Sequence, residues 1–562
     1  MTSPQKYLIT GALPYANGRL HIGHIAGAYL PADICVRYLR LKGHDVAFIC
    51  GSDENGVPIT LSAAREGVTP QEIVDRYHAS MEQSFQGLGI RFDIYHRTHT
   101  PRHAALAQSF FTRLLEKKYI DERVTQQMYC PKCSMFLPDR YVEGTCHHCG
   151  AAGARGDQCE ACGRVVDAAK LVAPTCVICK STNLEVRDTK HWFFRLDLFQ
   201  KKLEDYISST NWCRDNVRRF SKGLLEQGLL PRSITRDIEW GVPVPLPEGK
   251  GKVLYVWFDA PIGYDSFTQE HFDRLGRAGD WKDRWQNPDC KVLHFIGKDN
   301  IVFHSIIWPA MLMGHGEYSL PHDVVANEFL NIKGAKTSTS RNYAVWVEEY
   351  LQKFAPDPLR YYLTAIAPEG SDSDFSWEDF QARNNNELAN NIGNFIQRNL
   401  AFCTKYFDGR VPEAPVLSAN ATGMLAEIET ARTELSALLD GHRYKAALER
   451  LMRFAQSGNQ FLEQEQPWIS RKTDMAACGM AVHVGLRVVE ALSVFMSPFV
   501  PFSAEKTRQM LNLPALGNGD WDAPWRLAVG AAIGTPEVLF RKFEDDEIRP
   551  HADILAAKRQ DA

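Results

Sequence analysis

Short apolar runs and stretches of helical spacing alternate along the first 120 residues. The apolar runs at residues 6–10 and 45–50 predict strands, and the second is of the type buried in a parallel sheet. Helical patterns follow at residues 20–41, 70–88 and 103–117, and a further short strand is predicted at residues 92–95, between the last two of them. This alternation predicts an α/β fold with a Rossmann-type, doubly wound parallel sheet, whose first half is residues 1–119.

The sheet pattern stops after residue 119 and resumes later in the chain. We assign residues 120–230 to a connective insertion and residues 231–330 to the second half of the sheet. Residues 252–264 are typical of a strand followed by a turn, and residues 294–308 of a strand followed by a helix. A polar, Gly-containing loop then opens a linking region at residues 331–385.

The rest of the chain is helical in its pattern. Apolar residues recur at helical spacing in four stretches, at residues 390–400, 424–439, 444–460 and 481–496. We therefore predict an all-α helical bundle at residues 386–530, followed by a tail at residues 531–562.

Length and charge narrow the functional class. A chain of 562 residues is too long for one core, and roughly three to four domains are expected. Lys and Arg number 64 against 68 Asp and Glu, so any RNA contact must use local patches and not a general basic field. The N-terminus lacks the pattern of an export signal, and no stretch reaches the length of a membrane span. We expect a cytoplasmic protein that does not enter a membrane.

Eight of the fourteen cysteines form four C-x-x-C pairs in a stretch with few large apolar residues. Such a stretch cannot bury enough surface to fold alone, and zinc supplies the missing stability. Four pairs predict two Cys₄ zinc sites. Both sites are expected to be structural, because a closed shell of four thiolates leaves no open coordination position for catalysis. The spacing leaves sequential, crossed and nested pairings open. The predicted zinc ligands are Cys130, Cys133, Cys146, Cys149, Cys159, Cys162, Cys176 and Cys179.

The turn between the first strand and the first helix is typical of a phosphate-binding site. A Gly/Pro-rich turn leads into the helix, and His21 and His24 occupy its first turn. Unpaired N–H groups and the helix dipole attract anions there, and imidazoles add donors for phosphate oxygens. Gly23 leaves room for a flat base. Two surface histidines would give the same short pattern, so the H-x-x-H spacing by itself is weak evidence.

Asp53 follows the second predicted strand, at the sheet edge where open α/β domains bind ligands. A turn or helix-capping aspartate is the alternative interpretation. A buried carboxylate needs a counter-charge to remain ionised, and Arg236 in the resumed sheet is the expected partner.

His21-Ile-Gly-His24 is the signature of the class I aminoacyl-tRNA synthetases, and residues 12–18 resemble the methionyl enzymes in particular. Residues 51–56 resemble the Gly-x-Asp-Glu-His-Gly segment of that family. Asp53 matches the aspartate that anchors the amino group of methionine, and Asn55 replaces the histidine. The resemblance covers nearly the whole chain, with the motifs in the family's order.

The resemblance also implies a methionine pocket with aromatic walls. Sulfur makes favourable contacts at aromatic edges, so such walls suit a long, polarizable thioether. Without the resemblance, the same aromatic residues would be interpreted as ordinary core. The implied methionine-binding residues are Leu13, Tyr15, Asp53, Trp257, Ala260, Pro261, Tyr264, Phe303, His304 and Trp308.

Residues 331–340 lie where class I synthetases carry a mobile Lys-Met-Ser-Lys-Ser loop. Thr339 replaces the second lysine of that motif, and Lys333 and Arg341 are the basic residues nearby. Ammonium groups of this loop stabilise charge on the departing pyrophosphate. The implied catalytic residues are Lys336 of this loop and, at the phosphate-binding turn, His21 and His24. Mg²⁺ is expected to arrive with ATP. The implied ATP-binding residues are His21, Gly23, His24, Lys336, Ser338 and Ser340.

Three further expectations follow from the same resemblance. Asn394, Arg398 and Trp468 match positions that read the methionine anticodon, through base-edge hydrogen bonds and stacking. The nine residues between Cys149 and Cys159 resemble the zinc knuckle of single-zinc members, which favours the nested pairing. No oligonucleotide-binding appendage follows the tail, so a monomer is expected.

The implied activity is that of a methionine–tRNA ligase acting on methionine, ATP and tRNA(Met). Two alternatives stay open at this point. A sister class I enzyme for valine, isoleucine, leucine or cysteine would share the phosphate-binding turn with its two histidines (the histidine cradle) and the loop at residues 331–340. The branched-chain enzymes, however, carry a large editing insertion. A degenerate synthetase that only binds RNA is suggested by Thr339, although such a protein has no use for Asp53, His21, His24 and Lys336 together.

Overall fold

The computed structural model describes residues 4–138, 141–156, 159, 162, 166, 168–336 and 343–560. The first half of the α/β domain follows the predicted alternation. A π-helical turn at Ile25–Tyr29 joins its first two helices into one continuous helix. The elements are β1 (Lys6–Gly11), α1 (Ile22–His24), α2 (Leu30–Leu41), β2 (Asp45–Ser52), α3 (Val57–Glu66), α4 (Pro70–Gly87), β3 (Ile94–Arg97) and α5 (Pro101–Glu116).

The insertion is carried on a long antiparallel ribbon. Its two strands pair from Ile120↔Phe194 to Tyr129↔Glu185, and a small sheet of the order β7-β6-β8 belongs to the chain between them. Two helices then lead back towards the parallel sheet. The elements are β4 (Ile120–Cys130), β5 (Met135–Phe136), β6 (Val142–Thr145), β7 (Ala154–Arg155), β8 (Val172–Cys176), β9 (Glu185–Phe194), α6 (Gln200–Ser209) and α7 (Asp215–Glu226).

The second half of the α/β domain confirms one predicted strand and corrects another. Residues 294–308 are a strand followed by a helix, as predicted. Residues 252–264 keep only two strand residues, because the partner strand β11 is itself two residues long and the aromatic run folds into helices. The elements are β10 (Arg232–Ser233), β11 (Thr235–Arg236), β12 (Val253–Leu254), α8 (Val256–Asp259), α9 (Ile262–Arg274), α10 (Lys282–Trp285), β13 (Lys291–Gly297), α11 (Trp308–His315) and β14 (Asp323–Asn327).

The central sheet has five strands in the order β14-β13-β1-β2-β3, and all of its pairings are parallel. β1 lies in the middle, with Leu8 and Ile9 fully buried. The chain runs outward from β1 in one direction through β2 and β3, and in the other through β13 and β14. This reversal creates a crevice between β1 and β13 at the carboxyl ends of the strands, where such sheets bind ligands.

The linking region and the bundle complete the chain. The four predicted helical stretches correspond to α15, α16, α17 and α19, and a π-helical segment at Asn384–Gly393 enters the first of them. The linking elements are β15 (Leu330–Ile332), β16 (Ala335–Lys336), α12 (Val347–Leu351), α13 (Pro356–Ala365), β17 (Ser373–Phe375) and α14 (Trp377–Arg383). The bundle and tail contain α15 (Asn394–Tyr406), α16 (Ala419–Asp440), α17 (Tyr444–Glu465), α18 (Pro467–Ser470), α19 (Met475–Phe495), α20 (Pro501–Met510) and α21 (Asp545–Gln560).

The expectation that no stretch reaches the length of a membrane span was wrong. By length and composition alone, α19 could cross a membrane, with a mean hydropathy of 1.5 over its most apolar window. However, 89% of that window is buried inside the protein, where α19 packs against α15, α16, α17 and α20. A bundle helix surrounded by partners is apolar on every side, which explains the composition.

The tail contains a helix and returns to the linking region. α21 packs against α14. Gln381 Nε2 and Asn385 Nδ2 each donate a hydrogen bond to the Phe543 carbonyl oxygen, at 3.0 and 2.9 Å. The tail therefore packs beside the junction between the α/β domain and the bundle.

Candidate active site

The first turn of the long helix holds two histidines in one defined tautomer. His21 Nδ1 accepts a hydrogen bond from the Gly23 N–H at 3.1 Å, and His24 Nδ1 accepts one from the His21 N–H at 3.2 Å. Since an accepting ring nitrogen leaves the proton on the other nitrogen, both Nε2 atoms are N–H donors. The rings stack with their centroids 3.7 Å apart.

Burial keeps both imidazoles neutral. It lowers the pKa of His21 well below its ordinary value, with the neighbouring His24 adding to the effect, and it lowers the pKa of His24 to about 4. The cradle therefore offers neutral N–H donors at a helix N-terminus. Such donors suit negative charge that develops and moves during a reaction.

A cavity of about 480 Å³ opens beyond the carboxyl ends of β1, β2 and β13. It brings the histidine cradle together with every predicted methionine-binding residue except Trp308. That tryptophan is fully buried outside the lining, with its indole edge-to-face on Trp285 at 5.8 Å between centroids. The predicted residues that line the cavity are Leu13, Tyr15, His21, Gly23, His24, Asp53, Trp257, Ala260, Pro261, Tyr264, Phe303 and His304.

One wall of the cavity is aromatic. Trp257 stacks on Phe303 at 3.9 Å, and Tyr15 meets the edge of Trp257 at 6.1 Å. His304 Nδ1 lies 3.0 Å from the Asn300 carbonyl oxygen, so Nδ1 carries the proton and donates it. His304 Nε2 then accepts a hydrogen bond from the Tyr264 hydroxyl at 2.8 Å, and burial lowers the pKa of His304 to about 4. The wall is neutral, with one hydrogen-bonded polar pair.

Asp53 contributes a buried carboxylate at the end of β2. Its side chain is 4% exposed, and Oδ1 accepts a hydrogen bond from the Asn55 N–H at 3.4 Å. Burial raises the pKa of Asp53 well above its ordinary value, and the nearby Asp259 carboxylate raises it further. A cationic group that entered the cavity would reverse this penalty.

The structure does not bring Arg236 to Asp53. Arg236 Nη1 donates to the Thr235 carbonyl oxygen at 2.8 Å and to Ser233 Oγ at 3.3 Å, and its guanidinium lies 3.8 Å above the Tyr255 ring. Stacking on an aromatic face suits the planar guanidinium. The role of Arg236 as the counter-charge of Asp53 stays a prediction.

Asn55, which stands where the family has histidine, links the amine-anchor segment to a second buried carboxylate. Asn55 Nδ2 donates to Asp259 Oδ2 at 2.7 Å, and Asn55 Oδ1 lies 2.9 Å from His99 Nδ1. His103 Nε2 reaches the same Asp259 oxygen at 3.3 Å. Asp259 Oδ1 has no hydrogen-bond partner among the described residues.

Sequence reasoning missed Asp259 and also two acidic residues of the cavity lining. Asp299 and Glu328 line it, and Lys298 Nζ contacts Glu328 Oε2 at 2.8 Å and Asp372 Oδ1 at 2.6 Å. The available signal was position, because Asp299 follows β13 and Glu328 follows β14 at the ligand-binding edge of the sheet.

The predicted mobile loop is described only in part. The Lys336 backbone pairs with Asn331 in the β15–β16 hairpin. Lys333 Nζ lies 3.3 Å from Glu378 Oε1. Beyond the loop, the Val345 carbonyl oxygen accepts a hydrogen bond from the Ile22 N–H at 3.1 Å. The segment after the loop is therefore attached to the histidine cradle. Ser338, Thr339, Ser340 and Arg341 lie outside the described residues.

The cysteines form two groups in the nested arrangement, which confirms that prediction. The Sγ atoms lie 3.6 Å apart for Cys130 and Cys179 in one group, and 3.7 Å apart for Cys149 and Cys159 in the other. Four thiolates around tetrahedral zinc would lie about 3.8 Å apart, so both groups fit that ion. The outer group is Cys130, Cys133, Cys176 and Cys179, and the inner group is Cys146, Cys149, Cys159 and Cys162.

The bundle carries a second cavity, of about 440 Å³, at the predicted anticodon residues. Arg398 and Trp468 line it, and the Arg398 guanidinium lies 5.0 Å above the Trp468 ring while contacting Glu463 Oε1 at 3.2 Å. Asn394 begins the same helix on an exposed position outside the lining. Lys405 and Tyr406, which the sequence reasoning missed, complete a basic and aromatic surface.

Known proteins match this chain over nearly its full length. The profile of the family described as tRNA synthetases class I (M) matches residues 7–400, and that of the anticodon binding domain of methionyl tRNA ligase matches residues 411–560. The methionine–tRNA ligase of Pyrococcus abyssi is 48% identical over 556 residues, which cover 97% of this chain and 76% of the relative. That of Bacteroides fragilis is 47% identical over 554 residues, covering 97% and 80%.

The fold comparison agrees with the sequence comparison. The structure of Mycobacterium tuberculosis methionyl-tRNA synthetase in complex with methionyl-adenylate has a TM-score of 0.80 and 27% identity, covering 95% of this chain and 99% of that one. The order of motifs, the cavity at the sheet edge and both profile matches agree, and the chain belongs to the methionine–tRNA ligase family of class I tRNA synthetases.

Proposed function

We propose that this chain is a methionine–tRNA ligase. It activates methionine with ATP to methionyl-adenylate and pyrophosphate, and then transfers the methionyl group to the 3′ end of tRNA(Met). The observation that carries the proposal is a single cavity onto which the histidine cradle, the buried Asp53 and the aromatic wall all open.

The reaction requires orientation and charge stabilisation and no covalent enzyme intermediate. Asp53 pairs with the ammonium group of methionine, which supplies the counter-charge for a buried carboxylate. A carboxylate oxygen of methionine attacks the α-phosphorus of ATP, and pyrophosphate leaves. His21 and His24 donate from Nε2 to phosphate oxygens, and Lys336 stabilises the leaving group. Mg²⁺ that arrives with ATP neutralises phosphate charge.

The second step uses the same cavity. A ribose hydroxyl at the 3′ end of tRNA attacks the activated carbonyl carbon of methionyl-adenylate, and AMP leaves. The aromatic wall selects methionine, because a flexible thioether gains contacts along the Trp257 and Phe303 faces that a short branched side chain cannot reach.

The two cysteine groups are proposed to hold structural zinc. Their four-thiol composition and spacing fit tetrahedral zinc, and a closed thiolate shell leaves no position for substrate. The ions would stabilise the insertion, whose small apolar cluster includes Cys130, Cys146, Cys159 and Cys176.

We also propose that the bundle binds the anticodon of tRNA(Met). Trp468 supplies a face for stacking and Arg398 a donor for base edges, both in the lining of the second cavity. Asn394 supplies a further donor from the start of the helix that carries Arg398. A monomeric state stays a prediction, which sedimentation would test.

The proposal is tested by amino-acid-dependent exchange of labelled pyrophosphate into ATP, without tRNA. Methionine, valine, isoleucine, leucine and cysteine are compared, and strong exchange is expected with methionine alone. Exchange with another amino acid would assign the chain to a sister class I enzyme. Absence of exchange with all five would favour a protein that only binds RNA.

A further inference from the structure

A third group of metal-ligand side chains lies outside the two Cys₄ groups. Cys213, Asp323 and His442 bring a thiol sulfur, a carboxylate oxygen and an imidazole nitrogen within 4.8 Å of one another. Separate parts of the chain supply them: the loop between α6 and α7, the first residue of β14, and the turn between α16 and α17. We propose that these three side chains form a zinc site that ties the insertion and the catalytic sheet to the bundle.

The imidazole is oriented as metal-binding imidazoles usually are. His442 Nδ1 lies 2.8 Å from the Tyr444 hydroxyl, and Nε2 lies 3.9 Å from Asp323 Oδ2. A histidine that binds a metal generally uses its other ring nitrogen for a hydrogen bond, which fixes the tautomer and the ring orientation. When Nδ1 donates to Tyr444, the lone pair on Nε2 is available beside the carboxylate.

The backbone also indicates that this imidazole is held in place. His442 has a φ of 52°, in the left-handed region, directly after the end of α16. Helix ends of this kind usually place glycine or asparagine in that conformation. The His442 side chain is nevertheless buried, with its ring edge-to-face on Phe295 at 5.6 Å. Side-chain contacts therefore hold the histidine at a position that disfavours it.

The spacing of the three ligand atoms requires little adjustment. Tetrahedral zinc with bonds of roughly 2.0–2.3 Å places its ligand atoms about 3.3–3.8 Å apart. The Cys213 N–H already donates to Asp323 Oδ2 at 3.3 Å, which holds the Cys213 backbone beside the carboxylate, and the thiol sulfur lies within 4.8 Å of the other two ligand atoms. Cys213 is the most accessible of the three ligands, so an ion would enter from its side. Three protein ligands leave a fourth position for water.

The nearest arginine does not prevent cation binding. Arg214 Nη2 donates to the His442 carbonyl oxygen at 2.9 Å and to Asn327 Oδ1 at 3.4 Å, and Nη1 lies 3.6 Å from Glu369 Oε2. Glu369 therefore supplies a counter-charge for the Arg214 guanidinium. Zinc binding would form a Zn–S bond to Cys213 and release the thiol proton to solvent, which favours binding as pH rises.

Zinc content tests the proposal directly. Full-length protein, Cys213→Ser and His442→Gln are equilibrated at one buffered free-zinc concentration and freed of unbound metal. The wild-type protein is expected to hold one more zinc per chain than either variant. Cys290→Ser, which removes a buried cysteine outside the three groups, is expected to match the wild-type content. The difference counts this site alone, whatever the Cys₄ groups contain.

Thiol reactivity gives an independent reading. Zinc is expected to slow the alkylation of Cys213 by iodoacetamide about tenfold or more in the wild-type protein, because a coordinated thiolate is a poor nucleophile. In His442→Gln, zinc should leave the rate unchanged, with Cys213 identified by peptide mapping. Equal zinc contents in wild type and Cys213→Ser would overturn the proposal, and so would a zinc-independent rate in the wild-type protein.

Discussion

Burial sets the charge of the side chains that face the substrate cavity. The two histidines of the cradle are kept neutral, and each accepts a backbone N–H through Nδ1, so each presents its Nε2–H. Asp53 is buried next to Asp259, and both effects raise its pKa. The carboxylate is therefore unfavourable until a cation such as the ammonium group of methionine arrives. Binding of the substrate removes an electrostatic penalty that the folded protein carries.

Replacing Asp53 tests this account. In Asp53→Asn, kcat/KM for methionine in pyrophosphate exchange is expected to fall about 100-fold, because a hydrogen bond to a charged group is worth about 3 kcal/mol. The Tm at neutral pH should not fall. When folding raises the pKa of a carboxyl, the folded protein loses stability as the pH rises above the pKa that this carboxyl has in the unfolded chain. Asparagine has no such penalty. Asp283→Asn, on the surface, serves as the control. An unchanged kcat/KM would contradict the role of Asp53.

The neighbouring carboxylate should appear in the pH profile. Asp53 must be ionised to bind an ammonium group, and the like charge of Asp259 raises its pKa. Asp259→Asn is therefore expected to move the acidic limb of kcat/KM for methionine to lower pH, by about one unit. The buried Asp265, which accepts from Tyr318 at 2.7 Å, gives a matched control in Asp265→Asn. A limb that stays in place would show that Asp259 does not act on Asp53.

Several elements meet the cavity through their ends and not through their middles. β1, β2 and β13 deliver the cavity residues just after their last strand residues, and the long helix delivers its first turn. The hairpin β15–β16 comes directly before residues 337–342, which lie outside the described residues, and the chain after them contacts Ile22. Strand and helix ends expose unpaired backbone groups and point to one edge of the sheet, which concentrates binding there.

Of the two lysines of the loop at residues 331–340, Lys336 is expected to matter for catalysis and Lys333 is not. Lys336→Ala is expected to lower pyrophosphate exchange about 100-fold, since removing one such electrostatic donor costs about 3 kcal/mol. Lys333 already contacts Glu378 on the surface, and Lys333→Ala should change the rate by less than about threefold. Near-normal adenylate formation in Lys336→Ala would refute the assignment and would point to Arg341.

The two Cys₄ groups, with the zinc proposed for them, should stabilise the insertion and should not take part in the chemistry. Cys149→Ser is expected to lose one zinc per chain and to become sensitive to protease between β6 and β8, because the small cluster there cannot fold without metal. Pyrophosphate exchange should persist, since the central sheet has its own core. His147→Ala, next to the same ligands, should retain the zinc content of the wild-type protein. Equal protease sensitivity in the two variants would contradict this separation.

At the scale of the whole molecule, the catalytic domain and the bundle share one core. Arg360 on α13 is fully buried, where Nη2 contacts Asp33 Oδ2 on α2 at 2.6 Å and Nε donates to the Phe499 carbonyl oxygen beyond α19 at 2.8 Å. One side chain therefore joins the helix that begins with the cradle to the bundle that carries the second cavity. A buried charge with this many partners resists any shift between the two parts.

Because methionine and ATP are proposed to bind at one cavity and the tRNA anticodon at another, defects in the two functions should be separable. Trp468→Ala is expected to raise KM for tRNA about 10- to 100-fold, because stacking of one base is worth about 1–3 kcal/mol. Pyrophosphate exchange, which needs no tRNA, should be unchanged. Ile469→Ala alters the adjacent exposed residue and serves as the control. A tRNA affinity equal to that of the wild-type protein would remove Trp468 from the proposed anticodon surface.

Local pattern was sufficient for much of this architecture. Apolar runs and helical spacing identified the strands at residues 6–10 and 45–50 and four bundle helices, because those elements bury faces with a regular period. The nested cysteine groups were also anticipated, from a spacing that resembles a known knuckle. Pattern failed where partners decide: residues 252–264 became mostly helical once their strand partner ended. The bundle helix α19 was predicted, but its length and apolar composition exceeded the expectation that no stretch reaches the length of a membrane span, because other helices surround it.

The sequence by itself determined the residue types of the active site and the order of its motifs. Only the tertiary structure decided which residues meet: it excluded Trp308 from the cavity, placed Arg236 on Tyr255, and brought Asn55 and His103 to the same oxygen of Asp259. It also assembled Cys213, Asp323 and His442 from three distant segments. Periodicity records how one element buries its own face, whereas contacts between elements depend on packing across many residues, which no local stretch of sequence contains.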